Sequence, residues 1–452
     1  MKKILLLFLI ILPLQISSQQ SKEIEDALIG YWEGAFIKNN AYQKIDIKFR
    51  KSGDKIFGLQ IMEEWHPSYG EFEVPVKIDS LNLISFGTGY GKAELKLDKN
   101  NLELVGAMDG INPTVYLHFK KTANPPKNYN VEEIKFDSGT VKLNGHLHIP
   151  KIKKHKTAIV LVSGRGCYSE ETQFNLYAKV LREYGITVLA YQKRGTGKST
   201  GDCSKATIKD LADDLIEAKR FLSKHPNDYK HIGVLGTSAG GWTMVKAEES
   251  TNFDFMISIV GPSTSVKDQQ FQSMKYGHEF YGLSNSALKS LSRYTELMFS
   301  AKNSKKDYEE MQELLKVSET ENWKQLLDDT DIPTSAKEIK NLWVRRHNFN
   351  PKNILKSYKK PFLGIYGERD WIVPAKENIE SLQDYFSGRT NLLTTIEAYD
   401  AEHGMEMRAR QIKLDNTLNF LGGNHSYWHF YRISPSVKIE MIDFLKKHNF
   451  ID

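Results

Sequence analysis

The 452-residue sequence predicts a small all-β unit followed by an α/β unit, a doubly wound and mostly parallel sheet with a helical lid. Three observations carry this. Apolar and polar residues alternate with period two over 25–125, as half-buried strands require. From Val131 onward, short apolar runs are separated by amphipathic stretches, the strand–helix alternation of a parallel sheet. One such run leads directly into Gly236-Thr237-Ser238-Ala239-Gly240-Gly241 and then into a helix-forming segment.

The chain opens on Met1-Lys2-Lys3 and the apolar run Ile4–Leu14, the charged and apolar regions of a secretory signal. Ile16-Ser17-Ser18 before Gln19 supplies small residues for cleavage, so 1–19 is expected to leave as a signal peptide; an uncleaved anchor is the alternative. The run is too short to span a bilayer and no later stretch qualifies. No cysteine follows it to carry a lipid. The expectation is a secreted or periplasmic chain with no integral membrane segment after cleavage.

Composition is that of an ordinary globular protein, with 40% hydrophobic and 26% charged residues. The net charge of +6 falls by two when Lys2 and Lys3 leave. No basic run is interleaved with aromatics, which argues against nucleic acid. The histidines show no spacing with cysteines or carboxylates that would close a metal site, and no cofactor is expected. Cys167 and Cys203 are the only cysteines and fall in loops after neighbouring strands. In an oxidising compartment they could pair; two unpaired loop thiols are the alternative.

In the first unit, Ile45, Ile47 and Phe49 alternate with polar partners, and Ser52-Gly53-Asp54 turns the chain. Lys55–Met62, Glu94–Asp98, Leu102–Val105 and Val115–Phe119 continue an antiparallel meander, a small sandwich or open barrel. Trp65-His66-Pro67-Ser68-Tyr69 is either a substrate-facing rim or loop packing. Asn124-Pro125-Pro126 is the linker.

The second unit spans 131–452. Ile134–Phe136 and Val141–Ile149 read as a leading antiparallel pair. Thr157–Val162, Ile186–Tyr191, Ile232–Leu235, Phe253–Val260, Phe362–Tyr366 and Leu392–Ile396 read as the remaining strands. Helical patterns lie between them at Glu171–Tyr184, Ile208–Lys224 and Ala239–Glu249, and a last one at Val437–His448 closes the chain. The alternation stops at about 262–352, a charged helical insertion expected to form the lid. Phe280, Tyr281, Phe299 and Trp343 within it either line an acyl pocket or pack the lid core.

A strand, a sharp turn and a helix in that order are what a nucleophile elbow needs, with glycines where strand and helix crowd each other. Ser238 is therefore the candidate nucleophile, against a reading as a helix-capping serine. About 0.15 chance matches to Gly-x-Ser-x-Gly are expected in a chain this long, so context must decide. A second match, Gly197-Lys198-Ser199-Thr200-Gly201, has no elbow context and reads as a loop.

A serine nucleophile needs a base and a carboxylate to orient it. Asp370 follows the apolar run ending at Tyr366 and is preferred to Glu368 as the acid. His403 follows the last strand and is preferred to His425 and His429; Asp400 and Glu402 are too local to orient it.

The order Ser238, Asp370, His403 resembles that of serine hydrolases of the α/β-hydrolase superfamily, from Val131 to the C-terminus. More narrowly, the chain resembles bacterial esterases with a β-rich N-terminal domain. Leu161-Val162-Ser163-Gly164-Arg165-Gly166 resembles their oxyanion loop, and Tyr366–Asp370 their acid loop. Tyr191–Gly201 resembles the loop after the fourth strand, which usually has aspartate where Gln192 stands, a departure expected to touch a structural contact. Arg165 stands where small or polar residues are usual. The resemblance implies backbone oxyanion donors at Ala239 and in the Ser163–Cys167 loop, with Arg165 expected.

These readings converge on a secreted serine hydrolase that cleaves small-molecule carboxylic esters through an acyl-enzyme. A peptidase or acyl thioesterase on the same triad is the alternative. A peptidase like the prolyl oligopeptidase group would carry a β-propeller, and about 100 residues of meander are too few for one. Gly195-Thr196-Gly197-Lys198-Ser199 imitates a phosphate-binding loop, but Gln192 stands where the first glycine must be, which excludes nucleotide hydrolysis. A non-catalytic carbohydrate- or partner-binding protein on a hydrolase scaffold is the third reading.

Overall fold

Period-two alternation in the first unit builds a barrel. The computed structural model describes residues 22–38, 41–61, 71–88, 91–108, 114–168, 172–407 and 432–452. The expected signal peptide, Trp65–Tyr69, His425 and His429 lie outside the described residues. In the first unit, β1 (Gly30–Lys38), β2 (Ala41–Ser52), β3 (Lys55–Ile61), β4 (Glu71–Ile78), β5 (Ile84–Gly87), β6 (Lys92–Asp98), β7 (Glu103–Met108) and β8 (Tyr116–Thr122) follow one another antiparallel.

The sandwich or open barrel expected from sequence is instead a closed one, because β1 pairs with both β2 and β8. Closure removes the edges that would otherwise present unpaired backbone groups. In β3 burial alternates with period two: Ile56, Gly58 and Gln60 are buried, and the apolar Phe57, Leu59 and Ile61 between them are half-buried. Trp32, Phe36, Ile47, Phe49, Phe86 and Phe119 fill the interior with apolar side chains, as an eight-stranded barrel requires. A short helix over 22–28 adds Ile24 and Leu28 to that core, and the Leu28 carbonyl accepts the Trp32 indole N–H at 2.8 Å.

The second unit is an eight-stranded sheet. Its strands are β9 (Tyr129–Ser138), β10 (Val141–Pro150), β11 (Thr157–Val162), β12 (Thr187–Tyr191), β13 (His231–Thr237), β14 (Met256–Ile259), β15 (Phe362–Gly367) and β16 (Leu393–Ala398). The order is β16-β15-β14-β13-β11-β12-β10-β9, with the leading pair antiparallel and the six from β12 to β16 parallel. Strands buried on both faces read as continuous apolar runs, and β11 and β12 are buried at every position.

Helices cover both faces. Ile208–Ser223, Gly240–Glu248 and Ala375–Tyr385 pack one side. Leu176–Glu183 and the C-terminal helix Pro435–Lys447 pack the other. The predicted helix Glu171–Tyr184 is shorter than expected because Asn175 caps it, its side chain accepting the Ala178 N–H at 3.1 Å.

The insertion forms helices Val266–Phe280, Asn285–Ser300 and Lys305–Glu321, then short helical turns as far as Ser357. Ser265, Ser284 and Ser304 cap the three long helices through their hydroxyls, which satisfies first-turn N–H groups. The insertion has its own core around Tyr294, Trp323, Met298 and Leu291. Among the described residues no helix is long and apolar enough to cross a membrane.

Candidate active site

Strand β13 delivers Ser238 into a turn with φ of +49°, a left-handed conformation that a non-glycine residue adopts only when its surroundings hold it there. The restraint is visible: Ser238 N–H donates to the Ile259 carbonyl at 3.0 Å, and the Ser238 carbonyl accepts the Gly241 N–H at 2.8 Å. The glycines are obligatory. A Cβ on Gly236 would lie 2.7 Å from the Gly240 carbonyl oxygen, and one on Gly240 2.4 Å from the Val162 carbonyl oxygen. Ala239 is the N-cap residue of the helix behind, where first-turn N–H groups have no helical partner.

His403 and Asp370 converge on this serine from the ends of β16 and β15. His403 Nε2 lies 3.0 Å from Ser238 Oγ, and His403 Nδ1 lies 2.8 Å from Asp370 Oδ2. The other Asp370 oxygen accepts the backbone N–H groups of Ile372 and Val373, both at 2.9 Å. Burial acts to lower the pKa of His403, but the Asp370 charge, the Asp370 hydrogen bond and Glu406 together outweigh it and leave it above the ordinary 6.5. An imidazole so placed can accept a hydroxyl proton and hold the resulting charge against a carboxylate.

The rival acids are spent elsewhere. Glu368 accepts the Asp400 N–H at 2.8 Å, and Arg369 pairs with Asp400 at 3.2 Å and Glu402 at 3.7 Å. These contacts tie the acid loop to the histidine loop. Gln192 accepts the Lys198 N–H, and its carbonyl accepts the Ser199 hydroxyl, so the departure from the esterase pattern does serve a structural contact. Ser199 is thereby a buried loop residue.

On the opposite side of Ser238 runs Gly164-Arg165-Gly166. A Cβ on Gly164 would come within 2.9 Å of the Ser238 Cβ, so only glycine lets the loop approach so closely. The Arg165 side chain turns toward the insertion. Its Nη2 lies 2.7 Å from Asp331 Oδ2, 3.1 Å from Asp328 Oδ1 and 2.5 Å from Thr330 Oγ1, and the guanidinium sits 4.3 Å from the centre of the Trp343 ring. Lys193 Nζ donates to the Gly164 and Gly166 carbonyls at 2.5 and 2.9 Å. Cys167 and Cys203 form a disulfide with Cα atoms 5.7 Å apart, which ties the same loop to the one after β12. Sequence reasoning missed Lys193 and Asp331; the position of Lys193 just past a strand end was its only signal.

A cavity of about 640 Å³ adjoins this loop, within the range of small-molecule sites. Gly164, Arg165 and Ala239, which neighbour Ser238 in space or in sequence, line it together with Trp242, Trp343 and Arg346. Insertion residues thus wall a cavity beside the nucleophile, as a lid does. Of the aromatics expected there, Trp343 lines the cavity and Phe299 packs the insertion core. Phe280 and Tyr281 are partly exposed and group with Trp371 at centroid distances of 5.0–6.4 Å. Among the described residues no cluster of His, Cys, Asp and Glu could hold a metal ion.

The family model described as serine aminopeptidase, S33 matches residues 153–400. No curated protein matches the chain. Among solved structures, an esterase of Pyrococcus furiosus is 18% identical over 73% of this chain and 98% of its own, with a TM-score of 0.42. Est1E of Butyrivibrio proteoclasticus, solved with ferulic acid bound, is 16% identical over 60% of this chain and 91% of its own, with a TM-score of 0.38. The acylaminoacyl peptidase of Pyrococcus horikoshii is 14% identical over 93% of this chain and 66% of its own, with a TM-score of 0.41. With more than half of its length matched, the chain belongs to the serine aminopeptidase S33 family and is a serine hydrolase of the α/β-hydrolase type.

Proposed function

We propose that this serine hydrolase is an exported carboxylic ester hydrolase in which Ser238 is the nucleophile, His403 the general base and acid, and Asp370 the orienting carboxylate. The hydrogen-bonded chain Ser238 Oγ, His403, Asp370 is the observation that carries the reading. Ser238 Oγ attacks the ester carbonyl carbon as His403 Nε2 takes its proton. The negative charge on the carbonyl oxygen is met by the N–H groups of Ala239 and Arg165. Collapse breaks the C–O bond to the alcohol, which leaves with the proton from His403. Water, deprotonated by His403, then attacks the acyl-enzyme and releases the acid with Ser238 restored.

The family description names aminopeptidases, and the cavity lining favours an ester over a substrate with a free amine. Arg165, Lys193, Lys205 and Arg346 line it, against Glu338 as the one lining carboxylate among the described residues. Arg165 and Lys205 are paired with Asp331 and Asp202, but Lys193 and Arg346 donate to backbone carbonyls, so a substrate ammonium would meet their charge, whereas a neutral acyl ester would not. The leader pattern at 1–19 and the Cys167–Cys203 disulfide support export to an oxidising compartment.

The test is initial-rate hydrolysis of p-nitrophenyl esters from acetyl to decanoyl, beside aminoacyl p-nitroanilides, by the wild type and Ser238→Ala. Ester turnover that disappears in the variant, with the anilides turned over poorly, is the expected result. Preference for the anilides would replace the esterase reading with the aminopeptidase one.

A further inference from the structure

We infer that Asp331 is a positioning residue for the oxyanion pocket: by gripping the Arg165 guanidinium it fixes the loop that supplies the second oxyanion donor. The seated lid then becomes part of what stabilises the transition state. This rests on the hydrolytic reading of Ser238, His403 and Asp370, and on the Arg165 N–H as donor.

Besides the Arg165 side chain, the loop is held by Lys193 and, one residue further on, by the Cys167–Cys203 disulfide. Arg165 lies between two glycines and outside any strand or helix, and Gly166 has a φ of +108°. Glycine backbones are the most free to move, so this stretch has no intrinsic reason to keep one conformation. Lys193 restrains it on the sheet side through two carbonyls. On the other side its one long side chain is Arg165, and where that guanidinium is anchored decides where the Arg165 N–H points.

The anchor is rigid. The Asp331 side chain is 1% exposed, and its Oδ1 accepts the Val344 N–H at 3.0 Å while its Oδ2 holds Arg165. The Asp331 carbonyl accepts the Tyr294 hydroxyl at 3.0 Å, and Tyr294 is fully buried in the insertion core against Trp323. Asp328, Thr330 and the Trp343 ring contact the same guanidinium. A planar guanidinium held at several points loses the freedom that makes exposed ion pairs weak. Such pinning reaches the chemistry because the Gly164 backbone packs so close to Ser238 that even a Cβ there would overlap it, at 2.9 Å. A misplacement of about 1 Å in a site of this kind can cost about 10²-fold in rate.

The experiment compares Asp331→Asn, Arg165→Met, their double variant, Arg165→Lys and Thr330→Val in p-nitrophenyl acetate hydrolysis. kcat and KM are measured separately across pH, with thermal melts. Asp331→Asn keeps the shape of the side chain and the acceptor for Val344 N–H, so the insertion retains its packing.

The expected result is a fall in kcat of about 10- to 10²-fold in Asp331→Asn and in Arg165→Met, with KM within about threefold of wild type. The double variant is no worse than the poorer single one, because both break one link. Arg165→Lys recovers part of the loss, and Thr330→Val loses less. The acid limb of the pH profile stays in place, since His403 and Asp370 are untouched; a general loosening of the site would move it.

An unchanged kcat in Asp331→Asn and Arg165→Met, or a change confined to KM, would overturn the inference. If Asp331→Asn does not fold, Arg165→Lys and Thr330→Val decide it by the same criterion. Ser238→Ala separates the two levels. Inactive Ser238→Ala beside a fully active Asp331→Asn sinks the positioning role alone, whereas active Ser238→Ala sinks the hydrolytic reading beneath it.

Discussion

Asp370 divides its carboxylate between two tasks: Oδ2 takes the His403 Nδ1–H at 2.8 Å while Oδ1 takes two backbone N–H groups of its own loop. The loop therefore sets the angle at which the imidazole meets Ser238. The same carboxylate also holds the His403 pKa above 6.5 against the opposing effect of burial.

Replacing Asp370 by Asn is expected to lower kcat by roughly 10³–10⁴-fold, through loss of the correct tautomer and of the charge that stabilises imidazolium. His403 must be neutral to take the serine proton. In the wild type, activity rises with pH through a midpoint above 6.5; in Asp370→Asn what activity remains should show that midpoint lower. A profile of kcat/KM from pH 5 to 9 checks both, and an unmoved midpoint would count against the pairing.

Gly164→Ala places a methyl 2.9 Å from the Ser238 Cβ and 3.1 Å from the Thr237 carbonyl oxygen. Loss of activity on the order of 10²-fold with a nearly unchanged melting temperature is expected, because the shift falls on the loop rather than on a core. Wild-type turnover in this variant would mean that the loop lies further from the reacting centre.

The disulfide Cys167–Cys203 closes a segment of sequence separation 36 and borders the oxyanion loop. Its removal by Cys203→Ser should cost about 2–4 kcal/mol in urea unfolding and lower kcat together. The measurement is a denaturation curve with and without reductant. A wild type insensitive to reductant in both stability and rate would contradict it.

Glu248, near the end of the helix behind Ser238, is pushed by burial, with help from Asp254, to about 7, against the Phe253 N–H, Lys219 and Lys360. Its folded pKa lies above the unfolded 4.5, so the folded state holds the proton more tightly. The stabilisation this gives is complete below pH 4.5 and is lost as pH rises through about 7. Glu248→Gln keeps the acceptor for Phe253 N–H and should be more urea-resistant than wild type at pH 8, on the order of 1 kcal/mol, and equal to it near pH 4. Parallel stability curves for the two proteins would refute this.

The three residues that meet at the site could be read from the chain because each follows directly on an apolar strand, where loops of an open parallel sheet present their side chains. Glu368 and Asp370 share one such loop, and nothing in their order separates them. Only the fold reveals that Glu368 is used by the Asp400 N–H. Barrel closure was hidden for a related reason, since the pairing of β1 with β8 joins the two ends of the unit and leaves no local pattern. Arg165 and Asp331 stand 166 positions apart, and the insertion that carries Asp331 shows only a solvated charge pattern in sequence. Pairing of the two cysteines likewise depended on a distance that spacing does not give.

The most direct measurement is intact-protein and peptide mass spectrometry after treatment with a fluorophosphonate, which reacts with an activated serine. One adduct per chain on the peptide containing Ser238, absent from Ser238→Ala and strongly slowed in Asp370→Asn, is the predicted result. An adduct on another residue, or equal labelling of Ser238→Ala, would contradict the assignment of the nucleophile.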